Sequence, residues 1–466
     1  MTWHAFQRRA GVVTSWPCEN SLESWKAESD RPTTMSQTHT NCEGEDLFGD
    51  ETGLEVKYKT LTWWQAGMIM IAETISLGIL ALPKVLATLG LLPGIAVIIG
   101  VGVLTTYTGL VIGEFKRRYA QTHSMADAGR ILWGRTSCEI LGAAQLIFFI
   151  FIMASHILTF SIMVSVLTGY SGCTVLFSVA GGLLSIVFTI PRRLESLSFL
   201  SSISFASVLG AVFVSMVGAS FNKTSPIQTS LPPTFHDIVI AIANVVFAYA
   251  GHVAFFAFFS ELRDVKDYPR ALALLQVSEV TLYTVTAIVL YLLVGKDIAS
   301  PSLNSVSPLF RKISYGIAIP TIVIAGVVNA HVAVKSIYLR MFHGSNAMHS
   351  RSFGAISLWI AVCATLWFLV WVLAESIPVF NDILGLTSSL FASWFTFSLP
   401  GVFWLYLNVP GRPLSWKQTI LIGFNCINVI IGLVICIVGV YSSIRSVQSN
   451  LSENAVRRRF SCADNS

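Results

Sequence analysis

Eleven stretches of this chain each stay apolar for roughly 20 residues, the length that carries an α-helix across the hydrocarbon core of a bilayer. Nothing else in the sequence narrows the fold as far. Lipid offers no partner to backbone N–H and C=O groups, so a spanning segment must satisfy them internally, and for runs this long the form that does so is the helix. The chain is 54% hydrophobic and only 12% charged, where a soluble domain carries about 25% charged residues. The expected class is an all-α integral membrane protein with 11 transmembrane helices. A net charge of +5, spread over short loops rather than massed on one face, gives no footprint for nucleic acid.

The distribution of Lys and Arg sets the orientation. Basic residues gather in "KRRYAQTHSMADAGRILWGR", "PRRLES", "ELRDVKDYPR", "RMFHGSNAMHSR" and "NVPGRPLSWK", which alternate with loops almost free of them; these are expected on the cytoplasmic side with the N-terminus. Residues 1–60 read as a disordered cytoplasmic tail, and the change of character after residue 34 fits a translation start at Met35. The membrane domain is expected over 61–441 and a C-terminal tail over 442–466. With the C-terminus outside, the glycosylation candidates Asn222 and Asn450 both lie on the outer side. The eight cysteines show no paired spacing, so neither a zinc site nor a disulfide framework is expected; a Cys173–Cys462 bridge could form on the outer side, though connectivity cannot be read from sequence.

Two spans are poorly built for lipid. The first contains "IAETISLGILALP", with a carboxylate (Glu73), two hydroxyls (Thr74, Ser76), Gly78 and Pro83; the sixth is interrupted by "YAGH", Tyr249 to His252. Each opens a set of five spans, about 63–220 and 237–407, leaving helix 11 (about 418–441) outside. Interrupted helices in matching positions of two halves point to a 5+5 inverted repeat with discontinuous helices 1 and 6 and a binding site at the midplane. At a break the freed amides and the positive end of the second half-helix suit a carboxylate, while freed carbonyls suit an ammonium group. An amino acid zwitterion has both. The substrate-binding candidates are Thr74, Ser76, Leu77, Gly78 and Ile79 in the first span and Phe247, Tyr249, Ala250 and Gly251 in the sixth. Phe247 and Tyr249, nearest the second break, suit the wall of an apolar side-chain pocket, as Phe255 and Phe256 do less directly. Glu73, near the bilayer centre, is costly to bury ionised; able to take a proton on one side and release it on the other, it is the first proton-coupling candidate, with His252 the second. His156, His331 and Glu279 are secondary. Asn329, His331 and Lys335 do not share one helix face.

Walker A, HExxH and GxSxG sequences are absent, so an ATP-driven pump or a common hydrolase has no support and no enzyme activity is expected. "MIAETISLGILALP", "HSMADAGRILWG", "FAYAGHVAFFAFFSELRDVKDYPRAL" and "NAHVAVKSIYLRMF" resemble the amino acid/auxin permease family, within the amino acid–polyamine–organocation superfamily, and within it the fungal neutral amino acid permeases. The resemblance runs from about Leu61 to Tyr441. It implies alternating access and cation coupling, with the substrate carboxylate at the helix-one break and the amine near helix six. The superfamily's G-S-G-I sequence and following proline fall on Ser76, Leu77, Gly78, Ile79 and Pro83, with Ser76 in place of a glycine. The expected function is secondary active import of neutral aliphatic and aromatic L-amino acids by proton symport; a non-transporting amino acid receptor of the same fold is the alternative. No cofactor or metal is expected. The co-transported ion is H+, with Na+ open. The expected partners are the amino acid and the lipid bilayer, and the expected location is the plasma membrane, with the vacuolar membrane as the alternative.

Overall fold

The computed structural model describes residues 57–170, 173–192, 195–221, 233–342, 353–377, 379–409 and 415–452. The greater part of the expected N-terminal tail, the start at Met35, Asn222 and the end of the C-terminal tail lie outside these residues. Among the described residues eight helices are long and apolar enough to cross a membrane, or ten if each of two bent pairs is one span. The shorter apolar helix Thr174–Thr189 stands where the fourth span is expected, which completes eleven.

The first span is α1 (Trp63–Thr74) and α2 (Gly78–Leu89), bent by 52° at their junction. The second is α3 (Leu91–Arg118); the short α4 (Met125–Trp133) leads to α5 (Arg135–Thr168), α6 (Thr174–Thr189) and α7 (Glu195–Ser220). The sixth span repeats the break: α8 (Phe235–Ala248), a 3-10 segment (Ala250–Ala254) and α9 (Phe255–Ser260), bent by 41°. Then come α10 (Tyr268–Val294), α11 (Pro308–Phe342), α12 (Phe353–Ser376), the tenth span α13 (Phe380–Thr387) and α14 (Leu399–Asn408) joined by two π-helical turns, and α15 (Trp416–Ser452). Because each half holds five spans, an odd number, the second half enters the membrane from the opposite side. The repeat is therefore inverted.

Local chemistry sets the ends. Thr62, Ser124 and Thr234 each cap a helix through a reciprocal box with Gln65, Asp127 and Asp237, satisfying amides that have no intrahelical partner. Gly90, at φ 89°, turns the chain between α2 and α3. Burial then separates core from rim: 83% of the apolar window of α11 is buried but 17% of that of α15, so the eighth span is central and the eleventh peripheral.

At the end where the basic loops gather, the chain before α1 is tied to the loop after α9. The Leu61 amide donates to the Glu261 carbonyl at 3.0 Å and the Arg263 amide to the Leu61 carbonyl at 2.9 Å. Glu261 pairs with Lys335 of α11, both buried, and the Lys335 ammonium lies 3.9 Å over the Tyr58 ring. The start of "ELRDVKDYPR" is thus not a solvated loop. No disulfide framework is expected from the sequence, but Cys173 is disulfide-bonded; Cys462, its candidate partner, lies outside the described residues.

Candidate substrate and ion site between the broken spans

The first break comes from a change of hydrogen-bond partner. Ile75 still closes the helix with its amide to the Ile71 carbonyl at 2.8 Å, but the Ser76 amide turns back to Thr74 at 2.9 Å. Helical bonding resumes, first in a tighter i→i−3 turn, when Leu80 donates to Leu77 at 3.1 Å. The break is thus at Ile75–Leu77, and Gly78 is already the first residue of α2. No side chain caps α2 at Leu77. Pro83, one turn on, lacks the N–H that the Ile79 carbonyl needs. In the sixth span α8 ends at Ala248 and the chain narrows to a 3-10 segment from Ala250 to Ala254.

The two breaks interlock through their glycines. A Cβ on Gly78 would sit 2.5 Å from Ala248 Cα and 2.7 Å from Ala248 Cβ. A Cβ on Gly251 would sit 2.2 Å from Thr74 Cγ2 and 2.9 Å from Glu73 Oε2. Each glycine thus presses on the last helical residue of the other span, Ala248 of α8 or Thr74 of α1. The contact is reciprocal, as two copies of one half facing each other require.

Tyr283 of α10 binds both breaks. Its hydroxyl lies 2.7 Å from the Ala248 carbonyl and 3.3 Å from the Thr74 carbonyl, the oxygens at the negative ends of the two first half-helices. The Tyr249 ring meets the Tyr283 ring edge-on at 5.0 Å. Glu73 and Glu279 of α10 are both buried. The Thr74 hydroxyl donates to the Met70 carbonyl at 2.9 Å. Ser76 faces the third span, 3.5 Å from His156 Nε2; the other ring nitrogen, Nδ1, donates to the Ile322 carbonyl at 2.9 Å, so Nε2 accepts from the serine.

The structure therefore brings Glu73, Thr74 and Gly78 together with Ala248, Tyr249 and Gly251, and buries Leu77, Ile79, Phe247 and Ala250 around them. His252 is engaged elsewhere: its Nε2 donates to the Thr105 carbonyl at 2.9 Å, with Thr108 Oγ1 at 3.0 Å. Sequence reasoning ranked Glu279 low and missed Tyr283. Both are single polar residues in an apolar span, and their meaning comes from the first and sixth spans packed against them. The side chain of Asn450 is outside what the structure describes.

Residues 59–445 match the family described as transmembrane amino acid transporter protein. The chain belongs to that family. It is 30% identical over 419 residues to the N amino acid transport system protein of Neurospora crassa, covering 87% of this chain and 89% of the relative. It is 24% identical over 417 residues to the amino acid transporter AVT1H of Arabidopsis thaliana, covering 85% of this chain and 92% of that one. Among solved structures it resembles MhsT in complex with L-phenylalanine, at a TM-score of 0.55 and 11% identity, over 82% of this chain and all of that one. That likeness extends to the fold, an inverted repeat with broken helices. The family is one of transporters, not enzymes.

Proposed function

We propose that this protein imports neutral L-amino acids together with protons by alternating access, binding the substrate between the two broken spans. The observation that carries the reading is the opposition of the breaks: the uncapped start of α2 beside the ends of α1 and α8, whose last carbonyls meet at one hydroxyl. The start of α2 suits a carboxylate and the two carbonyls suit an ammonium. Leu77, Ile79 and Phe247, all buried and apolar, favour a side chain without charge. The amino acid named for the Neurospora relative's transport system supports the substrate class.

Glu73 is the coupling group in this reading, and the tie between Leu61, Glu261 and Lys335 is the closure on the cytoplasmic side. The basic loops put the N-terminus inside, and the plasma membrane is the proposed location. The test is radiolabelled uptake of a panel of amino acids into proteoliposomes at two external pH values, with and without Na+. Saturable accumulation of neutral amino acids driven by an inward proton gradient is expected. Binding without accumulation under that gradient would indicate a receptor instead, and accumulation that follows Na+ alone would reject the proton.

A further inference from the structure

Where the first span meets the fifth, at the end of the bundle that carries the basic loops, the packing leaves a cleft of about 460 Å³. Its walls include Trp64 and Gln65 at the start of α1, Ser198, Phe199 and Ser202 in the first turns of α7, and Arg263 in the loop after α9. That loop is fixed to the first span, because the Arg263 amide donates to the Leu61 carbonyl. Gln65 reaches across the cleft, its Nε2 3.5 Å from the Ser198 hydroxyl. A bond that long yields readily to a closer oxygen. The Ser198 and Ser202 hydroxyls donate to the carbonyls of Glu195 at 2.8 Å and Ser198 at 3.1 Å. The donors left to a ligand are thus the Gln65 amide and the Arg263 guanidinium.

The cleft is basic at one end and apolar at the other. Arg263 is exposed and makes no ion pair among the described residues. The nearby acids are engaged: Asp264 accepts from the Lys266 amide at 2.9 Å and Asp267 pairs with Arg270. Residues 57–65 and 263–270, which border the cleft, carry five basic and two acidic side chains, so with Glu195 on the facing wall the balance is still positive. Away from the guanidinium the walls are apolar and open. Trp64 is 50% exposed, Phe199 72%, and Ile203, one turn further along the same face of α7, 39%. Both helices belong to membrane spans, so these side chains face lipid. A guanidinium holds a phosphate through two parallel N–H···O bonds, and tryptophan favours the headgroup level. A soluble anion would satisfy the guanidinium and ignore the apolar wall. A sterol would do the reverse. A phospholipid uses both, and the surrounding positive charge favours one with a net negative headgroup.

We propose that this cleft binds one anionic phospholipid from the leaflet on the basic-loop side, with its phosphate on Arg263, an ester oxygen on the Gln65 amide and an acyl chain along Phe199 and Ile203. One wall is α1, the first half of a broken span, and the other is α7. The site is complete only while the two stay together, so the lipid binds the form closed on that side better than a form in which α1 has moved away, and it shifts the population towards closure by that difference. The inference is independent of which ion drives transport and goes beyond the substrate site.

The full chain is reconstituted in phosphatidylcholine vesicles that hold a minor share of brominated phosphatidylglycerol or of brominated phosphatidylcholine, and the Trp64 signal is taken as the fluorescence difference between wild type and Trp64→Phe. The brominated phosphatidylglycerol is expected to quench that signal several-fold more than the brominated phosphatidylcholine. Arg263→Gln, a change at an exposed position that the fold tolerates, should abolish the preference, and Arg263→Lys, which keeps the charge but not the fork, should retain part of it. Equal quenching by the two lipids in wild type means ordinary contact with surrounding lipid and overturns the site, as does a preference that survives Arg263→Gln. Relief of the quenching by inorganic phosphate assigns the cleft to a soluble anion and overturns the lipid. Closure is read separately, from alkylation of Ser260→Cys, buried next to Glu261, against the parent chain. The rate should fall several-fold when phosphatidylglycerol is added and should not fall in Arg263→Gln; a rate indifferent to the lipid overturns the effect on closure.

Discussion

Gly251→Ala tests the interlock between the breaks. The added methyl would lie 2.2 Å from Thr74 Cγ2, where non-bonded carbons rest at about 3.5–4.0 Å, so the spans must part by about 1.5 Å or Thr74 must move. Thr74 has little freedom: it is buried, with its hydroxyl bonded to the Met70 carbonyl at 2.9 Å. Overpacking of this kind costs about 1–3 kcal/mol. The cost falls on the closed form, since forms with the spans apart escape it. At about 1.4 kcal/mol per factor of ten, the closed form should lose roughly 5- to 150-fold in relative population. Uptake by reconstituted Gly251→Ala should fall accordingly. Thr74→Ser removes the obstructing methyl and keeps the hydroxyl, so it should restore much of the uptake when combined with Gly251→Ala. Gly78→Ala behaves differently, because its obstacles are Ala248 Cβ at 2.7 Å and Ala248 Cα at 2.5 Å. Ala248→Gly removes only the first, so rescue there should be partial at best. Wild-type uptake in Gly251→Ala, or a double variant no better than the single, would refute the interlock.

Tyr283→Phe deletes the donor shared by the Ala248 and Thr74 carbonyls, and leaving a buried acceptor unpaired costs about 1–3 kcal/mol; thermal unfolding in detergent should show the loss, and an unchanged midpoint would argue that water replaces the hydroxyl. Lys335→Met removes the buried ammonium that pairs with the Glu261 carboxylate, at roughly 3–5 kcal/mol, whereas Lys335→Met with Glu261→Gln should regain most of the stability in the same assay. His123, in the loop before α4 and outside the spans, is held well below the usual histidine range by burial, with Lys335 and Lys116 adding to it. The unfolded chain therefore takes up a proton that the folded chain refuses, and stability should drop as pH falls below about 6.5. His123→Gln should lessen that drop, which unfolding midpoints measured across the acid range would reveal.

The sequence made the spans and the two interruptions readable because both depend on local composition: apolar length for the first, and glycine, hydroxyl and proline within such a length for the second. Even the placement of the first break is off by little. Ser76 to Ile79 suggests the opening, whereas the ladder fails at Ile75–Leu77 and Gly78 is already helical. Gly78 attracts attention as a local hinge, yet the demand for glycine comes from Ala248, in a span far along the chain. What lies across space stayed hidden. Glu279 and Tyr283 have unremarkable neighbours in sequence, and Lys335 meets Glu261 from 74 positions away. The π-helical turns of the tenth span, packed beside the 3-10 segment of the sixth, were not legible either, since "TSSLFASWFTFS" reads as an ordinary apolar helix with hydroxyls.

In the proposed cycle, Tyr283 and Glu73 bear on a single problem. With the spans closed, the carbonyls of Thr74 and Ala248 lie at the Tyr283 hydroxyl. Those are the oxygens an ammonium would seek. The substrate must therefore displace or share a hydrogen bond already made, and the net gain is small unless something further favours a cation there. Glu73 acts on the same closed form: ionised, it is costly to bury between the spans, so a proton on it favours closure around the substrate. Protonation and substrate binding are then coupled with one sign, as symport requires. Substrate affinity measured by calorimetry on the reconstituted chain should therefore rise as pH is lowered, and Glu73→Gln should remove the rise. Affinity that falls steadily towards acid pH would mean that the Glu73 carboxylate holds the amine directly and that the coupling has the opposite sign.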